Sequence, residues 1–366
     1  MNLDRGTAVI GPVLVIGTGL IGTSIALALK RAGVEVVLED TDQRQLATAV
    51  EAGAGYPFEG ELIPRLVVVA VPPRFAGGVI AQASQRFTGA TITDVTSVKA
   101  QVLADALDQG ADPKRLVGGH PMAGREVAGA AGARSNLLDD RLWVLTPSEL
   151  TEADHLRQVY QLVSTCGAYA VEMTPDEHDR AVALVSHTPQ LLSSALAAQL
   201  ADANSDYVRI AGQGLRDMTR IAASDSALWT DILSVNARQV AEVLSRVVGD
   251  LTATLAALQA IAAGDASQTS RLSSALQTGA VGRSRIPGKH GAEQIEIAIV
   301  GVMLADKPGE LARLFTCASE ADVNLEDVRI EHVLGRPSGL VEISVRPENV
   351  ETLAAALRDR SFDVRV

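Results

Sequence analysis

Two cysteines, Cys166 and Cys317, are all that 366 residues contain, and they fall in different predicted domains. That scarcity points away from a disulfide framework and toward buried thiols in a reducing compartment, the cytoplasm. The six histidines show no metal-ligand spacing, so no metal is expected. No apolar run approaches the roughly 20 residues that cross a bilayer. The N-terminus shows no basic segment followed by an apolar core, so neither a membrane span nor a secretory signal is expected. Positive charge is scarce too: 32 Lys and Arg against 44 Asp and Glu leave a net charge of −12. That balance argues against a nucleic-acid partner and against an anionic membrane surface. No internal repeat is visible. With 47% hydrophobic and 21% charged residues, the chain reads as an ordinary globular protein long enough for two or three domains.

Short apolar runs alternate with amphipathic stretches over the first 175 residues, the pattern of an α/β domain whose parallel sheet is covered by helices. Strands are expected at 13–16, 35–39, 66–71 and 91–95, with a helix at 21–32. From 176 to 263 Ala, Leu and Gln dominate and apolar residues recur at helical spacing, so this domain reads as all-helical. A helical block beside a cofactor domain commonly buries its apolar stripes against a twin, and a homodimer is expected. Residues 264–293 are rich in Gly, Ser and small polar groups and read as a linker. From 294 to 366 strand character returns. The pattern is strand 295–304, helix 310–321, strands 323–334 and 340–345, helix 348–359 and strand 362–366, a ferredoxin-like βαββαβ order.

Gly17-Thr18-Gly19-Leu20-Ile21-Gly22 follows a strand and opens a helix, the context of a dinucleotide fingerprint. Gly17 serves the tight turn, Gly19 the approach of backbone to a pyrophosphate, and Gly22 close helix–strand packing. The helix start, with Leu20 and Ile21, offers free N–H donors to phosphate. Val71, at the end of a later strand, adjoins the same site. Asp40 stands eighteen residues after Gly22, where a carboxylate accepts hydrogen bonds from ribose hydroxyls and repels a 2′-phosphate. NAD is therefore expected rather than NADP. Glu39 and Asp42 deepen the negative field, with Arg44 as the only nearby cation.

The chemistry-bearing stretch is Gly118-Gly119-His120-Pro121-Met122-Ala123-Gly124. An imidazole has an unperturbed pKa close to ambient pH, so His120 suits a general base. Together with Ser186-His187-Thr188-Pro189-Gln190 and Arg216-Asp217-Met218-Thr219-Arg220, this stretch resembles the prephenate/arogenate dehydrogenase family over residues 12–245 or so. The resemblance implies oxidative decarboxylation of prephenate or arogenate on the way to tyrosine. Hydride leaves the hydroxyl-bearing ring carbon and carbon dioxide leaves the opposite one. It implies His120 as acceptor of the hydroxyl proton and Ser97 as the serine hydrogen-bonded to that histidine. Arg220 is implied as the clamp on a substrate carboxylate, with Arg216 as a second cation. Ser186, His187, Gln190 and Trp229 are implied as substrate-side residues, with His187 read equally as a buried helix–helix hydrogen-bonder and Trp229 equally as core packing. Gln190 stands where part of the family carries histidine, and Glu126 is the nearest carboxylate for arogenate's ammonium. His155, His178, His290 and His332 read as structural or solvated. Asp306-Lys307-Pro308-Gly309-Glu310-Leu311 resembles the ACT regulatory domain, with Asn324 opening its second strand. That resemblance implies an amino-acid effector, tyrosine, bound near Asp306, Gly309 and Asn324.

Two other readings fit parts of the chain. A β-hydroxyacid dehydrogenase shares the layout but relies on a lysine in its helical domain, and residues 176–280 contain none. A non-catalytic NAD and amino-acid sensor needs neither His120, Ser97 nor Arg220.

Overall fold

The computed structural model describes residues 11–124, 127, 129–286, 297–332 and 338–365. Two compact units result, Met1–Gly249 and Asp250–Val366. The first begins with β1 (Val13–Ile16), α1 (Leu20–Arg31), β2 (Val36–Glu39), α2 (Gln43–Glu51), β3 (Tyr56–Pro57), β4 (Leu66–Val69) and α3 (Pro73–Arg86). It continues with β5 (Thr91–Asp94), α4 (Ala100–Asp108), β6 (Leu116–Pro121), β7 (Leu142–Thr146), α5 (Ala153–Thr165) and β8 (Tyr169–Glu172).

These strands form one sheet in the order β3-β2-β1-β4-β5-β6-β7-β8. Strand order reverses between β1 and β4, the switch point outside whose carboxyl ends dinucleotides bind. Both faces are covered, which is why Leu66–Val69 is a continuous apolar run with every residue buried. Val13, Val15, Leu66 and Val68 pack with Ile25 and Leu29 on one face, whereas Leu14, Val67 and Val69 pack with Ile80 and Val102 on the other. Each such side chain contributes on the order of 1.5–3 kcal/mol. The sheet is not parallel throughout. β7 runs antiparallel to β6, and β8 parallel to β7. Among the described residues of the β6–β7 connection the only helix is a three-residue 3₁₀ turn, Ala130–Gly132, whereas a parallel return is usually made by an α-helix packed on the sheet.

The helical part follows: α6 (Pro175–Val182), a π-helical turn Ala183–His187, α7 (Thr188–Ala198), α8 (Ser205–Arg209), α9 (Gln213–Thr219), a 3₁₀ turn Arg220–Ala223, α10 (Ser226–Val235) and α11 (Ala237–Ala262). Many of its apolar side chains stay open: Leu184, Val185, Tyr207, Ile210 and Met218 in the first unit, and Leu251, Leu255 and Leu258 along α11 in the second. No helix among the described residues is long and apolar enough to cross a membrane.

Within the second unit, α12 (Thr269–Ser284) runs through the stretch read as a linker, and none of its residues is buried. Then come β9 (Ala298–Ala305), α13 (Glu310–Glu320), β10 (Asp327–His332), β11 (Ser338–Val345), α14 (Val350–Asp359) and β12 (Asp363–Arg365). The four strands form an antiparallel sheet in the order β10-β11-β9-β12. Val300, Val302, Ile343 and Val345 meet Leu314, Leu353 and Leu357 in a core of their own.

Candidate active site

At the cofactor end, the glycine pattern has a direct steric cause. Gly17 lies at φ +100°, and a Cβ there would sit 2.3 Å from the Ala70 carbonyl oxygen. A Cβ on Gly22 would sit 2.0 Å from the Gly17 oxygen. Any other residue would force β1, β4 and α1 apart. Gly19 instead faces open space, with nothing within 4 Å of its missing Cβ. Gly19 is also the N-cap of α1 and has no side chain to cap it. The first-turn amides, carried by half-buried Leu20 and Ile21, are those a helix leaves without internal partners. Val71 follows β4 beside Gly17.

Asp40 directly follows β2, next to this turn. Its Oδ2 accepts from the Thr18 amide at 2.6 Å and the Thr18 hydroxyl at 2.8 Å, and its Oδ1 accepts from the Asp42 amide at 2.8 Å. A carboxylate offers about four lone-pair sites, so capacity remains for a hydroxyl. Arg44 is not the only cation here. Arg86 of α3 reaches Glu39 at 2.9 Å and lies over the Phe58 ring. Forty-seven residues separate Arg86 from Glu39, so only the fold brings them together.

His120 sits near the carboxyl end of β6, paired with Val144 of β7. The preceding glycine is required there: a Cβ on Gly119 would lie 2.7 Å from the Asp94 carbonyl oxygen and 2.8 Å from Trp143 Nε1. Beneath it lies a buried ion pair. Lys99 and Asp94 are both fully buried, and Lys99 Nζ donates to Asp94 Oδ2, to Thr96 Oγ1 at 2.9 Å and to the Gly119 carbonyl at 2.7 Å. All three ammonium protons are thereby used. Burial pulls the Lys99 pKa below the usual lysine range despite the attraction of Asp94.

The partner of His120 differs from the expected one. Ser97 is half-buried and makes no hydrogen bond to His120. Nδ1 of His120 lies 2.8 Å from Nε2 of His178, whose Nδ1 lies 2.8 Å from Asp179 Oδ1. His178, read from sequence as structural or solvated, is thus the direct neighbour of the candidate base. The reason is local: Thr174 and Glu177 form a capping box that starts α6 with Pro175 in its first turn. His178 and Asp179 are then carried one turn in, both buried. Asp179 in turn accepts from the Lys99 amide at 2.8 Å and the Ala100 amide at 2.9 Å, capping α4 from another domain of sequence. Burial pushes the Asp179 carboxyl up, but the His178 hydrogen bond and those two amides outweigh it and hold it below the usual range. Burial, joined by the fields of His178, Lys99 and His187, holds His120 well below the ordinary histidine pKa. His120 is therefore neutral at pH 7, and its Nε2 has no partner among the described residues.

The remaining sequence-predicted residues divide. His187 is buried, its Nδ1 accepting from Asn236 at 3.0 Å, and Trp229 meets it edge-on at 6.0 Å. Burial pulls His187 down to about 4. Asn236 also donates to the Asp179 carbonyl at 2.9 Å, so this trio joins helices. Trp229 further packs against the sheet core. Gln190 is buried and spends its amide on the Ile221 carbonyl at 3.0 Å, bracing the turn that begins with Arg220. Arg220 is exposed and keeps helical dihedrals after α9 ends, one turn past exposed Arg216. Ser186 is half-buried in the π-helical turn, a device frequent at functional sites. Glu126 lies outside the described residues. In the second unit, Asp306 is exposed, Gly309 caps α13 at φ +92°, and Asn324 donates to Glu326 at 3.1 Å.

Residues 25–172 match the prephenate dehydrogenase nucleotide-binding domain, and residues 174–277 the prephenate dehydrogenase dimerization domain. A probable prephenate dehydrogenase of Streptomyces niveus is 38% identical over 354 residues, 95% of this chain and 98% of the relative. The prephenate dehydrogenase of Bacillus subtilis is 34% identical over 237 residues, 61% of this chain and 64% of the relative. Among solved structures, the Aquifex aeolicus prephenate dehydrogenase in complex with hydroxyphenyl propionate and NAD+ is 26% identical, with a TM-score of 0.64 over 73% of this chain and 96% of that one.

Proposed function

The chain belongs to the prephenate dehydrogenase family, and from that premise we propose that it is an NAD-dependent prephenate dehydrogenase converting prephenate to 4-hydroxyphenylpyruvate. The observation that carries this reading is His120: a neutral imidazole at the carboxyl end of β6 whose Nε2 is open. The open space at Gly19, the crowded Gly17 and Gly22 and the carboxylate of Asp40 fit a dinucleotide lacking a 2′-phosphate. NAD, when bound, supplies the acceptor for the hydride lost by the hydroxyl-bearing ring carbon. His120 Nε2 takes the hydroxyl proton as the carbonyl forms. Arg220, with Arg216 a turn away, holds a carboxylate in a bidentate grip that fixes the ring's orientation. Gln190 keeps the Arg220 turn in place through Ile221. Ser97, Ser186 and Trp229 border the same cleft in this reading, and Glu126 is the group that would favour arogenate.

Arg220→Ala is expected to raise the substrate KM at least tenfold with a smaller change in kcat, because the carboxylate grip serves ground state and transition state alike. Steady-state kinetics at varied prephenate checks it. The reading itself is tested by following reduced-cofactor absorbance with prephenate, arogenate or 3-hydroxyisobutyrate, each with NAD and NADP. Turnover of prephenate with NAD supports it. Preference for arogenate would reassign the substrate, and turnover of none would favour a non-catalytic sensor.

We divide the work as 1–175 for NAD, 176–263 for substrate and dimerisation, 264–293 for connection and 294–366 for regulation. The exposed Leu184, Val185, Ile210 and Met218 support a homodimer, since apolar surface of this kind is covered by a twin. The βαββαβ order of the tail, with Gly309 opening α13, supports an ACT domain that senses tyrosine near Asp306 and Asn324. Tyrosine inhibition, which requires different affinities for two states of the enzyme, is expected to vanish when residues 294–366 are deleted. Unchanged inhibition in that truncation would refute the assignment. We assign the enzyme to the cytoplasm, where buried thiols such as Cys166 and Cys317 stay reduced.

A further inference from the structure

Three groups lie in a line that the proposed reaction does not by itself require: His120, His178 and Asp179, joined by contacts of 2.8 Å each. We propose that His178 and Asp179 are positioning residues that fix the tautomer of His120 so that its Nε2 carries the lone pair. This rests on the reading of His120 as the base.

The direction of the chain follows from what each atom can do. An ionised carboxylate only accepts, so the His178 nitrogen facing Asp179, Nδ1, carries the proton. In the proposed arrangement that is the only ring proton of His178, so its other nitrogen, Nε2, is an acceptor. It faces Nδ1 of His120, which must therefore donate. A neutral imidazole protonated at Nδ1 is bare at Nε2, the atom left for substrate. Asp179 is held in its ionised form and orientation by the Lys99 and Ala100 amides at the start of α4. The Asn236 side chain ties its backbone carbonyl. The charged and titratable groups around His120 are His178, Lys99 and His187, and all three disfavour its protonation. Among the described groups near it, Asp179 lies one residue removed and Asp94 is spent on Lys99. Such second-partner orientation of a catalytic histidine is worth much: forcing the wrong tautomer lowers kcat about 10⁴-fold in a serine protease.

Two variants separate positioning from mere packing. His178→Phe fills the space but accepts no hydrogen bond, so a buried Nδ1–H is left unpaired and His120 turns to the other tautomer. His178→Gln keeps the polarity, because its amide NH₂ donates to Asp179 and its carbonyl accepts from His120. In full-length protein, His178→Phe is expected to lower kcat by about 10²-fold or more with prephenate KM and NAD affinity nearly unchanged. His178→Gln is expected to stay within about tenfold of wild type. Nitrogen-15 NMR of histidine-labelled protein without substrate is expected to report His120 bare at Nε2 in wild type and His178→Gln, and protonated at Nε2 in His178→Phe. Protonation at Nε2 in wild type, or a His178→Phe kcat within a few-fold of wild type, would overturn the proposal. The NMR reading needs no turnover, so it stands or falls apart from the identity of the substrate.

Discussion

Replacing His120 by Asn is expected to lower kcat by about two to four orders of magnitude while NAD affinity stays as it was, the span that positioned base catalysis typically contributes. Asn is smaller than His and leaves Gly119 unchanged, so the close approach of β6 to Asp94 and Trp143 survives. The dinucleotide turn lies at the ends of β1 and β4, away from β6 in the strand order, which is why binding should not follow activity. What disappears is the acceptor for the hydroxyl proton. The pH profile carries the same signature. Because burial, joined by the fields of His178, Lys99 and His187, holds His120 well below the usual histidine value of 6.5, the base stays competent throughout the neutral range. Wild-type kcat/KM should be flat there and fall only as pH drops through that depressed value, well below 6.5. In His120→Asn the acid limb should vanish along with most of the rate. A variant rate within a few-fold of wild type, measured by absorbance of reduced cofactor, would remove His120 from the reaction.

Lys99→Met should destabilise the first unit by about 3–5 kcal/mol, the cost of stranding a buried charge. The Lys99 ammonium gives one proton each to Asp94, Thr96 and the Gly119 carbonyl, and neither it nor Asp94 touches solvent. Methionine fills the volume but leaves the Asp94 carboxylate unneutralised and the carbonyl next to His120 without its donor. For a unit of this size the melting temperature should fall by roughly 10 °C. Adding Asp94→Leu should recover part of that loss, since an absent pair costs less than a broken one. A single variant that melts with wild type would show the pair is not what holds β5 to β6. Calorimetry of wild type and both variants decides it.

How much of this could be read from the residues alone depended on whether partners were neighbours in sequence. The phosphate turn is six consecutive residues between a strand and a helix, so its glycines carried their steric reasons openly. His120 stood out for the same cause, an imidazole in a run of glycines and proline. His178 did not, because its partner is 58 residues away and meets it only when α6 packs beside β6. Asp179 and the amides of Lys99 and Ala100 are about 80 residues apart, so that cap is invisible before folding. An overlooked signal was present: a His-Asp pair one turn into a helix opened by a Thr-Pro-x-Glu capping box. Ser97 stood out as the expected hydrogen-bond partner of His120, whereas the group that meets Nδ1 in the structure is His178. The reversal of β7 was likewise hidden, because strand periodicity carries no direction.

The most direct measurement is a crystal structure with NAD and an unreactive substrate analogue bound. The account predicts His120 Nε2 within about 2.6–3.2 Å of the analogue's ring hydroxyl, with the Arg220 guanidinium on the carboxylate at the opposite end. An analogue whose hydroxyl faces another group, or whose carboxylate lies beyond the reach of Arg220, would contradict it.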